Sequence, residues 1–155
     1  MAFAKFTAAV LLLTGLAAAQ PNPIGRELTA TAGGATVGTP CQTVTTCTVS
    51  SLNVAMGSTV RFTIRGGIGQ AWVLSASPPP LFCSPGMAIL GQNLLASPTV
   101  VAAGIMLASP GPCPGIGTVS FPVGSPVGTV ALLQALVGTT SGAIAYTDRV
   151  QITVI

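Results

Sequence analysis

The C-terminal stretch Val130–Ile155 constrains the fold more than any other part of this chain. It holds an apolar run (Val130–Val137), a turn-rich link (Gly138–Gly142) and a second run (Ala143–Ile155). The second run ends in alternation, with Val150, Ile152 and Val154 directed inward and Arg149, Gln151 and Thr153 outward. A period of two over that length predicts a strand with one face on a core. Gly-Thr-Thr-Ser-Gly between the runs reads as a five-residue hairpin loop. Val130–Val137 contains good helix formers, but it is short and bounded by Gly128 and Gly138. It therefore suits a strand buried on both faces. The chain is expected to close on a long β-hairpin.

Residues 1–19 are set aside as a secretory signal peptide. Lys5 supplies a thin positive region, Ala8–Leu16 an apolar one, and Ala17-Ala18-Ala19 a small-residue cleavage site before Gln20. The rest carries Arg26, Glu27, Arg61, Arg65, Asp148 and Arg149 as its only charged residues, and the chain has no histidine. Four scattered arginines make no basic patch, which argues against nucleic acid as a partner. No later segment has the roughly 18 apolar residues of a membrane helix, so no span is expected after cleavage. Abundant Gly, Pro, Thr and Val with few charges points to an all-β domain rich in turns.

Cys41, Cys47, Cys83 and Cys113 in an exported chain imply two disulfides. Of the three pairings, Cys41–Cys47 with Cys83–Cys113 is favoured. Loop-closure entropy gives about 3.5 kcal/mol for the longer loop and about 2.4 for the shorter. The short bridge requires 42–46 to turn back on itself, because a disulfide needs Cα atoms about 5.5 Å apart. A zinc site is disfavoured, since neither C-x-x-C spacing nor histidine is present.

In chain order, residues 20–40 read as a flexible N-terminal arm with weak edge-strand material in Glu27–Gly38. The domain proper is placed at 41–155. A strand is expected around Cys47–Ser50. Thr59–Arg65 is the clearest strand, with Val60, Phe62 and Ile64 on one face and Thr59, Arg61, Thr63 and Arg65 on the other. Gly66–Gly69 reads as a turn, with Gln70–Ser75 paired back on that strand. Met87–Leu95 is strand or short helix, and Thr99–Leu107 a buried strand. Ser109–Gly115 reads as a rigid loop tied down by Cys113. About eight or nine short strands at close spacing imply an antiparallel two-sheet β-sandwich.

Four segments carry a resemblance: G-I-G-Q-A-W-V-L-S (67–75), P-L-F-C-S-P-G-M (80–87), G-T-V-S-F-P-V (117–123) and L-L-Q-A-L-V (132–137). Their order resembles an uncharacterised β-domain of secreted planctomycete-type bacterial proteins, over about Leu52–Ile155. The chain departs from it at Thr147-Asp148, where the family more often shows Ser-Asn. The resemblance implies secretion and an all-β fold, and implies no activity.

The catalytic inventory is sparse. Without histidine there is no Ser-His-Asp or Cys-His arrangement. Glu27 and Asp148 are the only carboxylates, and both read as solvated surface groups beside arginines. Neither an enzyme nor a cofactor or metal site is expected. Trp72 is the only tryptophan; on an alternating strand it points with Leu74, which favours the core. The competing reading makes Trp72 a stacking platform for a sugar ring, with Arg61, Arg65 and Gln70 as hydrogen-bonding neighbours. The expected function is a secreted structural or interaction module at the cell surface or in the extracellular space. Its partner would be an extracellular protein or polysaccharide, with edge-to-edge self-association as a further expectation. The alternative is a carbohydrate-binding module built on Trp72.

Overall fold

A computed structural model describes residues 26–42, 49–79, 97–138, 142 and 144–155. These form ten strands and no helix. They are β1 (Arg26–Ala32), β2 (Ala35–Gln42), β3 (Val49–Val54), β4 (Thr59–Gly66), β5 (Ala71–Ser77), β6 (Thr99–Ile105), β7 (Leu107–Ala108), β8 (Gly115–Pro122), β9 (Val130–Gly138) and β10 (Ile144–Val154). The first sheet runs β2-β1-β4-β8-β7 and the second β3-β10-β9-β5-β6. The two pack face to face as a β-sandwich.

Alternation builds the core. Leu28, Ala30 and Ala32 of β1 and Val60, Phe62 and Ile64 of β4 face Trp72, Leu74, Leu133, Ala135, Val137, Val150, Ile152 and Val154 of the second sheet. Leu28, Ile64 and Leu74 are each 0% exposed, and full burial of such a side chain contributes about 1.5–3 kcal/mol. The terminal hairpin is present: β9 and β10 pair antiparallel from Gly138↔Ile144 to Val130↔Thr153. β9 is buried on both faces, with Leu132 and Gln134 on the side opposite the core. The division expected at residue 41 falls inside β2, and β1 is an interior strand, so the core begins with β1.

Four further expectations are corrected. β5 does not pair back on β4; it lies in the other sheet between β9 and β6. Both faces of β5 are shielded, Trp72 and Leu74 on the core side and Ser75 and Ser77 on the other all being buried, which fits an interior position. Gly66–Gln70 is therefore a crossing between sheets, and Gln70 holds it: its Oε1 accepts the Gly67 N–H at 2.6 Å. A second crossing sits alongside at Met106, where the chain passes from β6 to β7. The two are joined by Gly69 N–H to Met106 O and Met106 N–H to Gln70 O, both 2.9 Å. Thr99–Leu107 is accordingly two strands, and β6 is a largely exposed edge rather than buried.

The sandwich is also not wholly antiparallel, because β3 pairs parallel with β10. β3 passes the chain into the other sheet through Ala55–Ser58 and so lies on the free edge of β10, aligned with it. Finally, Cys113 bonds Cys41, with Cα atoms 6.0 Å apart, and not Cys83. The β1–β2 hairpin explains the pairing. It turns at Gly33-Gly34, both at positive φ (56° and 81°) as a two-residue loop requires. Cys41 is thereby returned to the end of the sheet where β4 stops and β8 starts. The pairing spans 72 positions, and closing so long a loop stabilises by about 4 kcal/mol. Cys47, Cys83 and Met87–Leu95 lie outside the described residues.

Candidate functional site

The outer face of the first sheet gathers most of the polar side chains of β1, β4 and β8. Antiparallel register aligns Thr31 with Arg61 and Ser120, Thr29 with Thr63 and Thr118, and Glu27 with Arg65 and Ile116. Directly opposed residues share a face, so these three rows form one grid. Strands lie about 4.8 Å apart and same-face residues about 6.7 Å apart along each strand. Thr36 of β2 extends the first row, its hydroxyl 2.9 Å from that of Thr31. Arg61, Thr118 and Ser120 are exposed. The sequence showed the Arg61–Thr63–Arg65 stripe, but not Thr29, Thr31, Thr118 and Ser120. Those alternations were in the sequence, but only the register brings the strands together.

Arg61 and Arg65 differ in freedom. Arg65 Nε lies 4.0 Å from Glu27 Oε2, and its terminal nitrogen donates to Ser109 Oγ and the Pro110 carbonyl, each at 3.4 Å. It fastens the Ser109–Pro114 loop to the sheet. Arg61 stands exposed at the far end of β4. Gln70 is 8% exposed and belongs to the crossing described above, so it is not a surface hydrogen-bonding neighbour of a ligand.

Trp72 is buried, 5% exposed, and offers no ring face to a sugar. Its indole lies between two glycines, one on the edge strand β6 and one on β8 of the opposite sheet. A methyl on Gly104 of β6 would come 2.9 Å from the ring, and one on Gly117 of β8 would fall on the indole nitrogen. The indole N–H has no hydrogen-bond partner.

Asp148 and Arg149 also depart from expectation. They are buried, 4% and 1% exposed, rather than solvated. The β10–β9 register jumps from Tyr146↔Leu136 to Arg149↔Gln134, so Thr147 and Asp148 together oppose Ala135 in a β-bulge. Thr147 Oγ1 accepts the Ala135 N–H (3.0 Å) and donates to the Asp148 carbonyl (2.8 Å), while Gln134 Nε2 donates to the Thr147 carbonyl (2.9 Å). Arg149 follows the bulge in a row with Val49, Gln134 and Ser75, on the face opposite the core. Gln134 and Ser75 are buried there too, 0% and 3% exposed, so this face is closed to water from Arg149 to Ser75. Burial lowers the pKa of the Arg149 guanidinium, with Asp148 acting in the opposite direction. Asp148 Oδ1 and Arg149 Nε have no hydrogen-bond partner, at a cost of about 1–3 kcal/mol for each such group.

A cleft of about 290 Å³ opens between the sheets at the end away from Trp72. Val60, Phe62 and Phe121 form one wall and Leu133, Ile152 and Val154 the other. Among the described residues no three His, Cys, Asp or Glu side chains cluster as metal ligands, and no helix is long and apolar enough to cross a membrane. No protein-family model matches the chain, and no curated protein does.

Proposed function

We propose that this protein is an exported, non-catalytic interaction module that engages an extracellular protein or polysaccharide through the outer face of the first sheet. The observation carrying this reading is the register of β1, β4 and β8, which gathers hydroxyls around the exposed Arg61 on one face. Such a face offers planar, multidentate hydrogen bonding, to which a guanidinium adds charge-assisted bonds. The Cys41–Cys113 bridge fits an oxidising compartment. Membership of the secreted β-domain family that its motifs resemble belongs to the same proposal. With Trp72 in the core, any glycan contact falls to the hydroxyl grid instead.

The test is co-sedimentation of the oxidised protein with insoluble polysaccharides and isolated cell envelopes. Saturable binding is expected, weakened about tenfold or more by Arg61→Ala, a change at an exposed position that leaves the melting temperature alone. Binding that survives both Arg61→Ala and Thr118→Ala would move the contact off this face.

A further inference from the structure

Protein interiors close-pack, and the few voids they contain are small. A cleft of about 290 Å³, open to solvent and lined by fourteen residues from both sheets and the β8–β9 loop, leaves apolar walls unfilled where such packing would close them. Its lining carries no charged side chain, and its only side-chain hydroxyls are those of Ser125 and Thr129. Thr129 already donates to the Pro126 carbonyl at 2.7 Å, which leaves Ser125 as the free polar group. Small residues keep the space open: Ala76 and Ala131 stand on the second sheet's wall where a leucine would reach across. The surroundings are apolar as well. Met56, Val127 and Ile155 are 60%, 65% and 59% exposed at this end of the sandwich. Backbone bonds tie their segments to the lining, Gly57 N–H to Val123 O and Gly128 N–H to Val154 O, both 2.8 Å.

We propose that this cleft is a binding site for one hydrocarbon chain, carried by an amphiphile whose polar head remains in water near Ser125. An apolar cavity of about 150 Å³ takes one benzene; at about 290 Å³ the cleft takes on the order of ten carbon atoms on the same scale. An apolar lining selects the chain by burial alone. A charged group inside would have no partner, so the head stays out. This site is independent of the hydroxyl grid on the outer face.

The test uses the small neutral dye 1-naphthylamine, whose ten carbons match that capacity, with the intact oxidised protein. Saturable fluorescence enhancement at one dye per chain is expected, reversed by 1-decanol and not by glycerol. Ala131→Leu and Ala76→Leu fill the space and should weaken dye binding at least tenfold. Val101→Arg places a charge at the mouth, at a position 39% exposed, and should weaken binding without touching the core, so the proposal stays testable should a filling variant misfold. No saturable enhancement in the wild type would overturn the proposal. Enhancement that persists in all three variants would overturn it too, by placing the dye on exposed side chains such as Met56.

Discussion

The two ends of the space between the sheets solve the same packing problem in opposite ways. At one end an indole spans from β5 to the opposite sheet, and Gly104 and Gly117 have no side chain where it passes. The two crossings at Gly66–Gln70 and Met106 and the Cys41–Cys113 bridge stand at that end as well. At the other end the corresponding wall positions are alanines, and about 290 Å³ stays open. Large against absent side chain gives a sealed end, whereas alanines against Val60, Phe62 and Phe121 leave a cleft. Openness here therefore follows from residue size on the second sheet and not from strand arrangement, since β4, β8, β9 and β5 run through both ends.

The largest way to break that contrast is Trp72→Ala. Truncating a buried tryptophan costs about 3–5 kcal/mol, and urea titration followed by circular dichroism should show it. A cycle with Gly117→Ala sharpens the point. The added methyl alone falls on the indole and should cost about 1–3 kcal/mol, but with the indole gone it has room. The two losses should therefore fail to add, and additive losses would mean the indole is not what closes this end. Replacing Cys41 and Cys113 together by serine should cost about 2–4 kcal/mol, and equal midpoints for the oxidised and substituted chains would show that the sealed end holds without its bridge.

At the open end the corresponding change is expected to be small. Ala131→Leu enters empty space, so its effect should stay under about 1 kcal/mol, in the stabilising direction. A loss of about 2 kcal/mol or more in the same urea titration would show that the cleft is narrower than its walls suggest and would remove the contrast.

The sealed end was also the harder one to read from sequence. Alternation in Thr59–Arg65 and in 149–154 gave the core faces of β4 and β10 correctly, because period two survives any topology. Gly66–Gly69 carried the usual signature of a hairpin turn, yet the chain crosses sheets there. What decides this is that β5 finds both its pairing partners, β9 and β6, in the other sheet, a property of the whole topology. Gly33-Gly34 was a legible two-residue hairpin signal in a stretch read as an arm. Without that hairpin nothing brought Cys41 to Cys113. Arg149 sits at an outward position as the alternation said, but outward on the second sheet is not solvent, and the two-for-one bulge at Thr147-Asp148 has no marker in residue spacing. The stripe of Arg61, Thr63 and Arg65 was visible; the grid around it needed strands far apart in sequence.

The smallest effect concerns Tyr146, on the outer face of the second sheet at the sealed end, opposite Leu136. Burial raises the pKa of its phenol above the ordinary value. Between that ordinary value, about 10, and the raised one, the native chain keeps a proton that the unfolded chain has released. The phenol's contribution to stability is therefore complete below about pH 10 and is lost as pH rises through the folded value. Arg26 and Arg149, whose pKa values burial lowers, act in the opposite sense, so the phenol must be isolated by difference. Melting temperatures of wild type and Tyr146→Phe should run parallel from about pH 7 to 9 and diverge above about pH 10, with the wild type falling faster. Profiles that stay parallel throughout would mean that the phenol is as well hydrated in the folded chain as in the unfolded one, and that the outer side of the sealed end is wetter than its inner side.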